Sequence, residues 1–383
     1  MRVMLTGGGT GGHLYPALAV AGLLRKLDPD GEILFVGTGE GLESRVVPQE
    51  GYSFCQIAAG KWPRKISIDG IKSLFSLGKG FIQGIRLIKQ FHPDAVLATG
   101  GYVSVPLGIA AAVLGVPLLL HEQNSVPGMA NKLLSRWAEV LFTTFPLDKG
   151  SFSSRAKIIH VGLPVRSEIL NVKREDGINF FGFEADRLTI LVTGGSRGAR
   201  RLNQVLLEVY EEICKDGSFP ALQIIHLTGR TEYQQVCHEM AKKGLTTVKF
   251  GKIVIKPYLE EMEYALAAAD LVISRAGAAT LAEITARGIP AVLIPYPYAT
   301  GNHQYHNARF LKDRGAAVLI PESELNAKRM FRELRKLIEN IQLREKMAEQ
   351  SRKIGRPQAG EYIAEFLLNV GKKSHCTSPV GKT

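Results

Sequence analysis

Cysteine is scarce in this chain. Its 383 residues include four cysteines, Cys55, Cys214, Cys237 and Cys376, and none forms a CxxC pair. That excludes a disulfide framework and fits a reducing cytoplasm. The opening MRVMLTGGG lacks the architecture of a secretory leader. Acidic residues are outnumbered, 36 Asp and Glu against 48 Lys and Arg, giving a net charge of +12. Such a surface attracts phosphates, nucleic acid or anionic lipid. No RNP motif, zinc finger or clear recognition helix is present, which makes nucleic acid the weakest of the three. One uncharged run, Val103 to Leu120, reaches the length of a membrane span. Pro106, Gly115 and Pro117 punctuate it, which predicts a buried helix over Val105–Leu114 and a buried strand over Pro117–His121 instead.

What the sequence has in quantity is glycine, 40 residues, and strand-like runs that end in it. RVMLTG, EILFVG, AVLATG, PLLLHE and VLFTT alternate with helical patterns in the first half; LTILVTG, LQIIHLTG, TVKFG, LVISRAG and AVLIP do so in the second. Strands separated by helices predict parallel sheets with right-handed crossovers. The halves open alike, Leu5-Thr6-Gly7-Gly8-Gly9-Thr10-Gly11 against Val192-Thr193-Gly194-Gly195-Ser196-Arg197-Gly198. The expected fold is therefore α/β, two Rossmann-like domains with parallel sheets facing across a deep cleft, and the length suits two cores. Gly162 and Pro164 break the pattern between the halves. The domains are placed at 1–163 and 164–345, followed by a helix at 346–370 that packs back on the first domain and a disordered tail at 371–383.

A strand, a Gly-rich turn and a helix make an anion site, because N–H groups point out of the turn and the helix dipole favours negative charge. Glycine permits the positive φ and the close approach of a phosphate. Gly7, Gly9 and Gly12 satisfy GxGxxG, a pattern that tight-turn packing alone also explains. A P-loop needs Lys-Ser/Thr after the second spaced glycine; His13 and Leu14 stand there, which argues against an NTPase. A dinucleotide site wants an acidic residue at the end of the second strand, and Glu40 could serve. A nicotinamide-dependent oxidoreductase is thus the alternative. His13 at a helix N-terminus is either a neutral imidazole able to accept a proton or a polar first-turn residue.

Thr99-Gly100-Gly101-Tyr102 is a third Gly turn after a strand, and three on one sheet edge would line a ligand crevice. His121-Glu122-Gln123-Asn124 leaves a core strand with four polar side chains, suited to a hydroxyl-rich ligand or to turn capping. Ser274 to Glu283 offers small residues at a helix start, with Glu283 placed to accept both hydroxyls of a ribose. Asn302-His303-Gln304-Tyr305-His306-Asn307 is taken as a polar ligand loop, since no third ligand makes its histidines a metal site. Asp28-Pro29-Asp30 matches DxD but precedes the second strand, on the wrong edge, and is taken as a turn. Ile66 to Phe91 is a basic, partly apolar helix, preceded by Gly60-Lys61-Trp62-Pro63-Arg64-Lys65. Trp62, Lys72, Phe75, Lys79, Phe81 and Ile82 are the expected contacts with an anionic membrane; an ordinary amphipathic helix on the sheet is the competing account.

TGGGTGGHLYPALAVA, GGYVSVP, HEQNSVPGMANK, GLPVR, TGGSRGARRLN, SRAGAATLAEI and PYPYATGNHQYHNA run in order over roughly Met1 to Val370. Together they resemble the MurG family, the UDP-N-acetylglucosamine transferases that convert lipid I to lipid II in peptidoglycan synthesis. The resemblance implies a GT-B fold, with the donor in the C-terminal domain and the acceptor on the N-terminal one. It implies UDP-GlcNAc contacts at Thr10, Gly11, Gly12, Asn124, Arg166, Ser196, Leu259, Arg275, Ala278, Ala279, Thr280, Leu281, Ala282, Glu283 and Gln304. Among these, Leu259 would touch the uracil, Glu283 the ribose, Ser196 and Arg166 the diphosphate, and Gln304 and Asn124 the GlcNAc. Gly8, Gly9, Gly100, Gly101 and Tyr102 would cradle the acceptor's pyrophosphate. Ala276-Gly277 stands where family members carry Ser-Gly, a conservative departure. The implied reaction is inverting transfer to the muramyl 4-hydroxyl, with His13 as base and Glu122 in reserve, and with neither metal nor cofactor. The implied partners are UDP-GlcNAc, lipid I and an anionic membrane surface, at the cytoplasmic face of the bacterial inner membrane, peripherally bound.

Overall fold

The computed structural model describes residues 1–60, 68–147, 150, 152, 156–195, 198–216, 218–245 and 251–376. They form two compact units, one of Met1–Pro164 together with the described residues from Pro357 on, the other Val165–Arg356. The chain thus enters the second unit one residue past Pro164. It leaves at Arg356, so residues 346–356 belong to the second unit rather than to a returning helix.

The first unit holds a parallel sheet of seven strands, β1 (Arg2–Thr6), β2 (Glu32–Gly37), β3 (Ser53–Gln56), β4 (Ala95–Ala98), β5 (Leu118–Glu122), β6 (Val140–Thr143) and β7 (Lys157–His160). Their order is β3-β2-β1-β4-β5-β6-β7. β4 and β5 are buried throughout, as expected where helices cover both faces. The apolar run after β4 divides as its prolines dictate, into a helix Ser104–Val113 and then β5. One face packs Leu14, Ala17, Val20 and Leu24 of the helix Gly11–Leu27 on Val3, Leu5 and Phe35. Ile363, Ala364 and Leu367 of the last helix, Ala359–Cys376, join that same cluster. Gly360 meets Leu23 so closely that a Cβ would lie 2.6 Å from a leucine methyl, and the Phe142 ring stands edge-on to Phe366 at 5.4 Å. The last helix runs to Cys376, past the Val370 at which it was expected to end.

The second unit holds a parallel six-stranded sheet, β8 (Leu188–Thr193), β9 (Leu222–Leu227), β10 (Gly251–Lys256), β11 (Leu271–Ser274), β12 (Ala291–Leu293) and β13 (Ala317–Leu319), ordered β10-β9-β8-β11-β12-β13. The strand expected at Thr247–Gly251 falls largely outside the described residues, and β10 begins at Gly251. The core is built from β8, β9 and β11 with Leu202, Val205, Leu206, Val209 and Tyr210 of the helix Arg200–Lys215. Beyond β13 the chain forms three helices, Ala327–Glu339, Ile341–Ile354 and Ala359–Cys376. Asn340 separates the first two by capping the second through its side chain, which accepts from the Leu343 N–H at 2.9 Å. Among the described residues no helix is long and apolar enough to cross a membrane.

Candidate functional site

In each sheet the winding direction reverses beside the first strand, between β1 and β4 in one unit and between β8 and β11 in the other. Open α/β sheets bind ligands outside the carboxyl ends of the strands at that reversal.

In the first unit the loop after β1 and the loop after β4 meet there. Gly100 and Gly101 both take positive φ, +99° and +84°, and a Cβ on Gly101 would lie 2.4 Å from the Gly8 carbonyl. Only glycine allows that approach. His13 opens the helix Gly11–Leu27 beside them. Its Nδ1 lies 3.0 Å from the Thr99 carbonyl and 3.0 Å from Gln123 Oε1. A backbone carbonyl can only accept, so Nδ1 carries the proton and the lone pair sits on Nε2. Behind Gln123, His121 is fully buried at the end of β5 and its Nε2 donates to the Gly162 carbonyl at 2.8 Å. Burial pushes the His121 pKa down to about 4, against the pull of the Gly162 hydrogen bond, and proximity to His13 lowers it further.

Glu122 differs from its role as the reserve base. It is 2% exposed, and its oxygens accept from the Asn124 N–H at 3.0 Å, the Gly128 N–H at 2.9 Å and Asn131 Nδ2 at 2.8 Å. It pins the turn that carries Asn124 and has no open face toward a substrate. Glu43, which sequence reasoning passed over in favour of Glu40, is 1% exposed and accepts from the Gly9 N–H at 3.1 Å. It also accepts from the Thr38 N–H at 3.2 Å and Thr38 Oγ1 at 2.8 Å. The Gly9 amide expected to face a pyrophosphate is therefore already engaged by a carboxylate. Glu40 is exposed. Asp28 of the DxD match takes the Met1 amino group at 2.8 Å and belongs to a turn.

In the second unit the loop after β8 contains Ser196, which lies outside the described residues. The loop after β11 leads into the helix Ala278–Arg287, whose first turn contains Ala278, Ala279 and Thr280, followed by Leu281, Ala282 and Glu283. Gln304 Oε1 fastens that loop, accepting from the Ala276 N–H at 3.2 Å and the Tyr296 N–H at 2.9 Å. Asn307 Nδ2 donates to the Ala276 carbonyl at 3.3 Å. Arg275, expected on the donor, instead pairs with Glu322 and donates to the Ile294 and Pro295 carbonyls, each at 3.2 Å. Its charge serves the loop. Glu283 has its pKa raised to about 7, first by burial, with Arg166 lowering it and Glu263 raising it. Arg166 is the residue before the short helix Ser167–Asn171, and Arg287 closes the other end by donating to the Val172 carbonyl at 2.8 Å. Arg287 thereby ties the Arg166 segment to the helix that carries Glu283, a link with no sequence signature. Leu259 is 3% exposed beyond the end of β10.

The helix Ile68–Phe91 leaves Phe75 82% and Ile82 53% exposed, with Lys72 and Lys79 exposed beside them. Phe81 turns inward and packs against the sheet core, so it is not part of that surface. Trp62 lies outside the described residues.

Residues 3–143 match the glycosyltransferase family 28 N-terminal domain and residues 189–361 the glycosyltransferase family 28 C-terminal domain. The protein of Desulforamulus reducens named UDP-N-acetylglucosamine--N-acetylmuramyl-(pentapeptide) pyrophosphoryl-undecaprenol N-acetylglucosamine transferase is 46% identical over 94% of this chain and 96% of its own. Its namesake from Halothermothrix orenii is 44% identical over 98% of this chain and 100% of its own. The crystal structure of Acinetobacter baumannii MurG superposes with a TM-score of 0.76 at 32% identity, over 96% of this chain and 99% of that one. Two family domains in order, and relatives of this identity over nearly the full length, leave one conclusion: the chain belongs to glycosyltransferase family 28.

Proposed function

We propose that this enzyme is a hexosyltransferase that moves GlcNAc from UDP-GlcNAc to the 4-hydroxyl of MurNAc in undecaprenyl-pyrophosphoryl-MurNAc-pentapeptide, converting lipid I to lipid II for peptidoglycan synthesis. The observation that carries the reading is the shared activity named for relatives at 44–46% identity and nearly full coverage. The geometry of His13 is compatible with it. The muramyl O4 attacks C1 of GlcNAc from the face opposite the diphosphate. The O4–C1 bond forms as the C1–O bond to the diphosphate breaks, UDP leaves with that electron pair, and the hydroxyl proton passes to His13 Nε2. Inversion at C1 gives a β1,4 linkage. General-base assistance of this kind contributes roughly 10²- to 10⁴-fold.

On the donor side, the N–H groups of Ala278, Ala279 and Thr280 at the helix N-terminus, with Ser196 and Arg166, would receive the diphosphate and stabilise its charge as it departs. Glu283 would accept the ribose hydroxyls, with Leu281 and Ala282 beside it. Leu259, buried beyond β10, would touch the uracil. Gln304 Oε1 is held by two amides, and its amide nitrogen would donate to GlcNAc. Gly8, Gly100, Gly101 and Tyr102 would face the acceptor's pyrophosphate. Exposed Phe75 and Ile82 with Lys72 and Lys79 fit a peripheral site on the anionic cytoplasmic face of the bacterial inner membrane, where the lipid acceptor resides.

The test is transfer of labelled GlcNAc to a lipid I analogue, with UDP-GalNAc as control. Product from UDP-GlcNAc alone supports the reading; absence of transfer with intact UDP binding overturns it.

A further inference from the structure

The polar side chains behind His13 are connected in one direction. His121 Nε2 donates to the Gly162 carbonyl at 2.8 Å, which leaves His121 Nδ1 as an acceptor. Gln123 Nε2 lies 3.2 Å from that Nδ1, 3.1 Å from the His121 carbonyl and 2.5 Å from the Thr99 carbonyl. Three acceptors around one end of the amide fix it as the NH2 end. Gln123 Oε1 must then point the other way, and it meets His13 Nδ1 at 3.0 Å. Gln123 and His121 are 2% and 1% exposed, so water does not compete for these bonds. No described residue hydrogen-bonds His13 Nε2.

We infer that Gln123, oriented by His121, is a positioning residue that shares with the Thr99 carbonyl the task of holding His13 as its Nδ1–H tautomer, and so presents the Nε2 lone pair to the acceptor hydroxyl. The inference rests on the reading of His13 as base. It assigns the orienting role, which a buried carboxylate plays in serine hydrolases, to a neutral amide. A neutral orienter fixes tautomer and ring angle without the electrostatic preference for imidazolium that a carboxylate brings. The chain ends at Gly162, which has φ +95° and lies two residues before the end of the first unit's N-terminal segment. Its N–H and that of Val161 both donate to the Thr143 carbonyl at 3.1 Å. The far end of the relay is thus anchored to β6, and His13 inherits a fixed backbone reference.

The test uses the full-length enzyme labelled with ¹⁵N-histidine, with His13 signals assigned by their loss in His13→Ala. Wild type is expected to show His13 protonated on Nδ1 and His121 on Nε2. Gln123→Leu removes both ends of the amide. Its Nε2–H population at His13 should rise and kcat should fall roughly tenfold or more, with KM for UDP-GlcNAc little changed. Gln123→Glu keeps an oxygen toward Nδ1 but adds charge. Its other oxygen would face the Thr99 and His121 carbonyls that Nε2 served, so Gln123→Glu should not restore the kcat lost in Gln123→Leu. The other ionisable groups around this site are His121 and Glu122 on β5, Tyr102 after β4 and Glu43 beyond the Gly9 loop, and none is altered by these substitutions. A wild-type His13 in the Nε2–H form, or wild-type kcat in Gln123→Leu, overturns the inference. Near-normal kcat in His13→Ala would instead defeat the base assignment, while the tautomer measurement would still decide the relay.

Discussion

Glu43 holds the N–H of Gly9 at 3.1 Å, so a carboxylate from the loop after β2 shapes the first Gly turn. The same side chain takes both donors of Thr38 and fills the space beside Gly8, Gly37 and Gly41. Glu43→Ala would leave these buried donors unsatisfied and open a cavity. A loss of about 2–4 kcal/mol in urea unfolding is expected. Glu43→Gln keeps one carbonyl oxygen and should lose less. UDP affinity, assigned to the second unit, should change little in either variant. If Glu43→Ala unfolds like wild type, the carboxylate does not hold the loop.

The strands were legible because their apolar runs end in glycine, as in RVMLTG and LTILVTG. β3 and β7 were not, since SFCQ and KIIH are partly exposed edge runs. The Gly loops could be read as ligand sites from their place after strands. Which amides in them remain open could not, because Glu43 reaches Gly9 across 34 positions of sequence. The surroundings of Glu122 and Arg275 were not legible for a similar reason. Their residue types suit chemistry, but their hydrogen-bond partners, Asn131 for one and Glu322 for the other, are set by tertiary packing.

Glu283 titrates near neutrality. Burial raises its pKa from 4.5 to about 7. Between those values the native state holds a proton that the unfolded chain has released, so stability falls as pH rises from about 4.5 to 7 and levels off above. Glu283→Gln should remove that slope, a difference of about 3 kcal/mol between the ends of the window. Ribose hydroxyls need the carboxylate as acceptor, so wild-type KM for UDP-GlcNAc should fall as pH rises through about 7. The Gln variant should show a raised, pH-independent KM across that range. Thermal melts and initial rates from pH 5 to 8 check both, and an unchanged slope in Glu283→Gln removes this residue as the cause.

The exposed face of Ile68–Phe91 makes a separable prediction. Phe75→Asp with Ile82→Asp should reduce co-sedimentation with anionic vesicles, and Lys72→Glu with Lys79→Glu should do so in a salt-dependent way. Each lysine near such a surface contributes about 1 kcal/mol. Phe81→Ala should act differently, lowering stability through the core it packs on. UDP binding should survive the surface changes. Equal vesicle binding by all variants would assign membrane association to another part of the chain.

Tyr210, His226 and Asn203 form a second buried relay, with the Tyr210 hydroxyl 3.2 Å from His226 Nδ1 and His226 Nε2 3.1 Å from Asn203 Oδ1. Asn203 Nδ2 then donates to the Thr228 carbonyl at 2.9 Å. That carbonyl lies against Gly198, where a Cβ would be 2.2 Å away, so the relay supports the loop that follows β8. Burial lowers the His226 pKa from 6.5 to about 4. The unfolded chain binds a proton between these values and the native state does not. His226 therefore contributes stability that is fully present above about 6.5 and is lost as pH falls toward 4. His226→Gln should flatten this acid slope, leaving the parallel contribution of His121. Tyr210→Phe removes the hydroxyl that donates to Nδ1 and should cost about 1–2 kcal/mol at pH 7. If the relay sets the Gly198 approach, the same variant should raise KM for UDP-GlcNAc more than it lowers kcat, because the loop belongs to donor binding. An acid slope unchanged in His226→Gln, or a Tyr210→Phe enzyme with wild-type stability and KM, would show that this network neither titrates nor supports the loop.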